Sequence, residues 1–345
     1  MEFSGAHVPD GAVTALGEMM ISFAPEGYQR FLQAGSLTMN FVGSELNTLC
    51  SLSRFGMETR MVTRLPAHEI GDCAIAAVRK YGVDSRFILR GGERVGLMYL
   101  EKGASQRPDL VIYDRKHSSV SEGDPAEYDL DGAFSGAVWF HTTGITPALS
   151  EKTRALTLTA LKKAKEKGLT VSFDLNFRSK LWNEEEAGAV LKTMLPYVDV
   201  LSANEWDLKT IFGLPISMEQ GMTDETFVRA AALAREHFGI SVLSATRREV
   251  RSASDNLLRG LLCTEDRLYA SRTYDMHLVN RVGGGDAFTA GIIYGISHSF
   301  DSPKTVDLAA AADCLKHTIE GDINLCSLRE VEQLAADGGP GRIRR

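Results

Sequence analysis

The chain has 345 residues, 44% hydrophobic and 24% charged, with a formal net charge of −7. That length buries a large core. An acidic balance without a dense Lys/Arg block argues against nucleic acid as the main partner, and no apolar run approaches the roughly 18 residues needed to cross a bilayer. The first eleven residues lack the basic start and apolar stretch of a secretory signal, so a cytoplasmic protein is expected. Five widely separated cysteines, none in a Cys-x-x-Cys pair, speak against a disulfide framework or a zinc site. The eight histidines show no metal-type pairing at helical spacing.

In chain order, a short apolar strand at 12–16 is followed by extended segments across 20–42, a helical period at 45–55, a strand at 60–63 and a helix at 72–81. A second extended region, 86–115, contains strand patterns at 95–100 and 110–114. Strands at 137–141, 169–174, 198–203 and 240–245 then alternate with helices at 151–167, 184–195, 205–212 and 226–238. Continuous apolar strands separated by helices imply right-handed β-α-β crossovers and a mostly parallel sheet covered on both faces, so the fold class is α/β. The two regions without helices are expected to form a small accessory sheet. Its period of two groups Leu97 with Tyr99, and Val111 with Tyr113 and Arg115. Two phenols and a guanidinium facing one way suit a polar anion; a solvated edge is the alternative. One domain spanning 12–335 is expected, with tails at 1–11 and 337–345.

The chemistry is expected at Asn280-Arg281-Val282-Gly283-Gly284-Gly285-Asp286, which runs into the small-residue helix pattern Ala287-Phe288-Thr289-Ala290-Gly291. Three glycines let main-chain N–H groups approach an anion, and a helix start adds unpaired donors and the positive end of a dipole. A carboxylate there can take a proton from a hydroxyl while the amides hold a phosphoryl group. Read alone, the same residues also serve as a helix cap and a turn. In a doubly wound sheet, ligands sit beyond the carboxyl ends of strands. Three such ends carry suitable groups: Asp174 to Arg178, Asn204 to Asp207, and Thr246-Arg247. Each also reads as a cap or a surface ion pair. The glycine run fits neither a Walker A loop, which needs Gly-Lys-Ser/Thr, nor the dinucleotide fingerprint after a first strand.

Val282 to Asp286 with its Ala-Phe-x-Ala-Gly helix resembles the Gly-Ala-Gly-Asp signature of the ribokinase-like (PfkB) carbohydrate kinases, in a Gly-Gly-Gly-Asp form. More narrowly, the segments 27–31, 99–104, 113–115, 143–148 and 316–322 are similar to 2-keto-3-deoxygluconate kinases. The resemblance implies a three-layer α/β/α sandwich with a small β-sheet lid, ATP and Mg²⁺ as cofactors, and room for a monovalent cation. It implies transfer of the ATP γ-phosphoryl group to the terminal hydroxyl of 2-keto-3-deoxy-D-gluconate. Other acceptors (2-keto-3-deoxygalactonate, fructose or ribose) and a non-catalytic sensor on the same fold are the alternatives.

By the same resemblance Asp286 is the base, and Gly283, Gly284 and Gly285 form the anion hole. Gly43, Asn47, Tyr99, Tyr113, Arg115, Arg178 and Asp322 hold the sugar acid, with Arg178 on its carboxylate. Asn204, Thr246 and Arg247 join Gly283 and Gly285 on the nucleotide side, and Asp207 stands near Mg²⁺ through water. Two departures are visible: Val42 occupies the first glycine of the lid hinge, and Asn280 replaces an aspartate ahead of the cradle. The open edges of the accessory sheet are the expected pairing surface of a homo-oligomer.

Overall fold

The computed structural model describes residues 11–265 and 267–338, so residues 1–10 and 339–345, most of the two expected tails, lie outside the described part. Its strands are β1 (Ala12–Leu16), β2 (Met20–Ala24), β3 (Thr38–Val42), β4 (Thr59–Leu65), β5 (Ile88–Arg90), β6 (Gly96–Glu101), β7 (Leu110–Asp114), β8 (Ala137–Thr143), β9 (Thr170–Asp174), β10 (Val200–Ser202), β11 (Val242–Val250), β12 (Asp255–Thr264), β13 (Arg267–Ala270) and β14 (Tyr274–His277). Its helices are α1 (Ser44–Arg54), α2 (Glu69–Lys80), α3 (Leu130–Phe134), α4 (Ile145–Ala148), α5 (Glu151–Glu166), α6 (Glu184–Leu191), α7 (Glu205–Phe212), α8 (Asp224–Phe238), α9 (Gly284–Ser297), α10 (Ser302–Lys316) and α11 (Leu328–Asp337).

The main sheet runs β13-β12-β11-β10-β9-β8-β1-β4-β5, parallel from β11 through β5, with an antiparallel end where β12 pairs with β11, β13 and β14. One apolar core lies on the side of α1, α9 and α10, where Leu46, Leu49, Phe288 and Ile292 are buried. A second lies against α5 to α8, around Leu156, Leu191, Leu208 and Phe227. Helices on both faces of a mostly parallel sheet make the three-layer sandwich that the alternating pattern implies. The antiparallel end is new: β11 runs on to Val250 as one arm of a hairpin, past the expected end at 245. At the other terminus, α11 is capped by a Ser327/Glu330 capping box and continues to Asp337, where a tail was expected to begin.

The accessory sheet has the order β3-β2-β6-β7. It draws on both extended regions, except that β5 leaves the second of them and pairs in parallel with β4 in the main sheet. Register separates its two faces: Met98 lies opposite Tyr113, while Tyr99 lies opposite Ile112. Met20, Val42 and Met98 pack together with Val111 and Tyr113 on the inner face. Tyr99 stacks on Phe23, ring centroids 5.7 Å apart, on the outer one. The expected grouping of two phenols on a single face is therefore corrected. Residues of β6 and β7 were each assigned correctly to their own strand, but the pairing between strands decides which sets meet.

Helix α9, which begins at the glycine run, is held by α10. At Gly291 a Cβ would come to 2.4 Å from the Cα of Ala309, so the two backbones approach too closely for any side chain. Gly291→Ala is expected to destabilise the fold by about 1–3 kcal/mol through overpacking. A urea unfolding curve with an unchanged midpoint would contradict this account of the packing.

Candidate active site

The carboxyl ends of β9, β10 and β11 and the amino ends of α1 and α9 open onto two adjoining cavities. The larger, about 440 Å³, is floored by Gly283 to Asp286 and walled by Gly43, Ser44 and Asn47 of the α1 turn, by Tyr113 and Arg115 of the accessory sheet, and by Asp174, Asn176 and Arg178 after β9. The smaller, about 220 Å³, is lined by Asn204, Asp207 and Thr246, and it shares Asp174, Asn176, Arg178 and Gly285 with the first.

Each glycine of the run answers a different constraint. Gly283 is the N-cap of α9 in a left-handed conformation (φ 84°), and a Cβ on it would lie 1.8 Å from the carbonyl oxygen of Asp322. A Cβ on Gly284 would strike His317 and Asp313. Gly285 has nothing within 4 Å of its Cβ position, so bare main chain faces the cavity. Ahead of them, Asn280 Oδ1 accepts a hydrogen bond from the Val282 N–H at 2.9 Å. The amide supplies the acceptor that an aspartate would, without its charge.

Asp286 sits in the first turn of α9, with its carboxylate fixed from α1: Ser44 Oγ donates to Oδ1 at 2.6 Å and Asn47 Nδ2 donates to Oδ2 at 2.8 Å. Burial raises its pKa, while these two donors and the nearby Arg178 and Lys316 charges oppose the rise. Asp174 is pushed up to about 7 by burial and by the Asp286 charge, with Arg178 opposing. Asp322, buried at the cavity wall, is raised to about 6 by burial against the attraction of Lys316. Lys316, fully buried, is lowered to about 8 by desolvation. Several buried acids and cations thus surround a space shaped for a ligand.

Not every residue singled out from the sequence reaches that space as expected. Arg115 lines the larger cavity, but Glu18 takes its charge: Nε donates at 2.7 Å and Nη2 makes a second, shorter bond to the same carboxylate oxygen. Asn47 spends its amide donor on Asp286. Asn204 is both cap and wall, since its Oδ1 accepts from the Asp207 N–H and its Nδ2 donates to the Asp207 carboxylate, each at 2.8 Å. Arg247 turns away from the smaller cavity to a buried ion pair with Glu205 and a bond to the Thr223 carbonyl at 3.1 Å. It is corrected to a structural residue. Tyr99 is likewise outside, as its register requires. The Arg178 guanidinium makes no hydrogen bond or ion pair among the described residues and lies where the two cavities meet.

Four lining residues of the larger cavity carry no individual role in the sequence reading: Ser44 and Arg248, and also Asn176 and Arg281, which lie inside segments it singles out. Asn176 adopts a left-handed φ of 39° and donates to Ser44 Oγ at 3.2 Å. An asparagine two residues past a strand-ending aspartate was a usable signal for such a turn.

Behind the site, Glu45 is 1% exposed and accepts from the Thr143 N–H at 3.1 Å, from Thr143 Oγ1 at 2.8 Å and from Thr146 Oγ1 at 2.9 Å. Burial outweighs these donors and lifts its pKa from 4.5 to about 7. The folded state therefore holds this proton more tightly than the unfolded chain. That contribution to stability is complete below about pH 4.5 and is lost as pH rises through about 7. Replacing Glu45 with Gln should remove the carboxyl's share, so the wild-type advantage over the variant grows by roughly 3 kcal/mol from pH 7.5 to pH 4.5. Unfolding free energies of the two proteins that run parallel over this range would disprove the assignment.

Comparison with known proteins agrees with this geometry. A 2-dehydro-3-deoxygalactonokinase of Haloferax volcanii is 31% identical over 330 residues, covering 95% of this chain and 98% of that protein. A 2-dehydro-3-deoxygluconokinase of Bacillus subtilis is 27% identical over 326 residues, covering 92% of this chain and 93% of its own length. The crystal structure of a 2-dehydro-3-deoxygluconokinase from Thermotoga maritima superposes with a TM-score of 0.91 at 39% identity, covering 94% of this chain and 99% of that one. The model of the pfkB family carbohydrate kinases matches residues 11–327, and the chain belongs to that family.

Proposed function

We propose that this carbohydrate kinase transfers the γ-phosphoryl group of ATP to the terminal hydroxyl of 2-keto-3-deoxy-D-gluconate, the sugar acid also called 2-dehydro-3-deoxygluconate. The observation that carries the reading is the Asp286 carboxylate, held by Ser44 and Asn47 beside the open main chain of Gly285. A hydroxyl in the larger cavity meets the carboxylate, and a phosphoryl group meets the amides of the cradle.

The sugar hydroxyl gives its proton to Asp286 as its oxygen bonds to the γ-phosphorus. The bond from that phosphorus to the bridging oxygen breaks, and its electron pair leaves with ADP. Because the transition state is loose, positioning and charge neutralisation outweigh the proton transfer. The nucleotide is assigned to the smaller cavity, along Asn204 and Thr246. The carboxylate of the sugar acid is assigned to Arg178, whose fork has no protein partner among the described residues.

Mg²⁺ suits this donor set. Asp174 and Asp207 line the smaller cavity, and burial raises the pKa of both, so a cation there relieves charge that the protein leaves uncompensated. Among the described residues no three His, Cys, Asp or Glu side chains form a metal cage. When bound, the ion would shield negative charge on the phosphates, and Asp174 and Asp207 are the residues that would hold it.

The 4-epimer, 2-keto-3-deoxygalactonate, is the second reading, favoured by the name of the Haloferax relative. Coupled detection of ADP with both keto-deoxy epimers, fructose and ribose separates the possibilities. The gluconate epimer should give the highest kcat/KM, and faster turnover of a neutral sugar would overturn the assignment of a sugar acid. For the base, Asp286→Asn should lower kcat by about 10²- to 10⁴-fold while ATP affinity stays within a few-fold. Wild-type turnover in that variant would remove Asp286 from the mechanism.

A further inference from the structure

Beside the glycine cradle lie two guanidinium groups that the mechanism above does not use. Arg281 is two residues ahead of Gly283, and Arg248 reaches in from β11; both line the larger cavity together with Gly283 to Asp286. Neither is bound to a carboxylate in the way that neutralises Arg115 or Arg247. Arg281 makes no hydrogen bond or ion pair among the described residues. Burial and the like charge of Arg248 disfavour its charged form, and Asp109, which lines a neighbouring small cavity with it, opposes them.

Arg248 is held from behind by a chain of buried groups. Its Nη2 lies 3.1 Å from His317 Nε2, and Asp313 Oδ1 is 3.8 Å from the same nitrogen. A guanidinium only donates, so His317 accepts at Nε2 and carries its proton on Nδ1. That nitrogen is 2.7 Å from the Asp313 carbonyl oxygen and 2.9 Å from its carboxylate. His317 and Asp313 are both fully buried. They also fill the space behind Gly284, so the cradle and the arginine rest on the same support. Two like charges lining one cavity, only one of them with a carboxylate near it, favour an anion placed between them. The residue ahead of them, Asn280, adds no negative charge.

We propose that Arg281 and Arg248 form a clamp on the phosphoryl group in transfer, with His317 and Asp313 as positioning residues for Arg248. The proposal rests on the reading of the cradle as the phosphoryl site. In the step itself the hydroxyl proton goes to Asp286, the new P–O bond forms, and the bond to the ADP oxygen breaks with its electrons on ADP. The clamp exchanges no proton. It faces the equatorial oxygens, where charge gathers in a loose transition state.

The test uses Arg281→Ala, Arg281→Lys and His317→Gln in the full chain, each checked for wild-type thermal unfolding. Arg281→Ala should lower kcat by about 10²- to 10³-fold, with the KM of the sugar acid within threefold of wild type. Lys, which keeps the charge but loses the fork, should recover part of that loss. His317→Gln, which still offers an acceptor to Arg248, should stay nearer to wild type than His317→Leu. A rise in KM for the sugar acid at unchanged kcat would make Arg281 a reader of the substrate carboxylate and overturn the clamp. A separate titration with inorganic tripolyphosphate keeps the two readings apart. Wild type should bind it and Arg281→Ala should bind at least tenfold more weakly, whichever sugar is the acceptor. Equal binding by both proteins overturns the clamp and leaves the kinase reading standing. Turnover of no sugar, with tripolyphosphate binding still dependent on Arg281, overturns the kinase reading instead.

Discussion

Two helix amino ends meet at one carboxylate, and the rest of the site is arranged around that meeting. Ser44 and Asn47 in the first turns of α1 donate to the side chain of Asp286, and Thr48 Oγ1 lies 3.3 Å from its main-chain oxygen. These residues are about 240 positions apart in the chain, so the contact ties an early helix, α1, to a late one, α9. Both helices direct unpaired N–H groups and a positive dipole end at the same point. An acid placed there stays ionised more readily than burial alone would allow, while the amides of α9 remain free for a second anion. The small residues of α9 follow from this: with Gly291 against α10, the helix can be fixed only by close backbone packing.

The site holds its charges under strain of a definite kind. Glu45, Asp174, Asp286 and Asp322 are all raised by burial, and Lys316 and Arg281 are lowered by it. Groups of both signs are thus held away from their preferred states, and few are paired with one another at contact distance. A polyphosphate with its cation supplies both missing partners. Where the protein needs rigidity it behaves differently: Glu18 closes on Arg115, and Glu205 closes on Arg247. The contrast between satisfied and unsatisfied arginines separates scaffold from site better than their nearness to the cavity does.

Much of this was legible in the sequence because the informative patterns are local. The parallel strands are buried on both faces and read as continuous apolar runs, and α7 starts at the Asn204 cap where its sequence places it. The glycine run announced the cradle because three adjacent glycines answer to main-chain demands at a helix start. What could not be read depends on partners distant in the chain. Arg115 and Arg247 look like free cations until Glu18, 97 residues away, and Glu205, 42 residues away, are brought to them. Tyr99 and Tyr113 belong to different strands, and only the pairing of Met98 with Tyr113 shows that the phenols face opposite ways. Arg281 was in plain view inside the motif, but its lack of a partner is a property of the folded state alone.

The distribution of unpaired cations bears on which sugars the cavity favours. With Arg115 neutralised by Glu18, the accessory sheet offers the phenol of Tyr113 and a closed ion pair rather than an available charge. A neutral furanose would give the exposed Arg178 guanidinium no carboxylate to meet, whereas a sugar acid would pair with it. On the proposed reading, discrimination between an acid and a neutral sugar is a matter of charge. Selection between epimers is different, because it turns on whether one hydroxyl finds a partner among groups already committed to each other. The side-chain donors of Asn47, Ser44 and Asn176 are occupied in holding Asp286 and one another. On the proposed reading, discrimination at that hydroxyl falls to Asn47 Oδ1, a buried acceptor without a partner among the described residues, and to Tyr113 and Asp322, where a missing or misplaced hydrogen bond leaves a buried polar group unsatisfied.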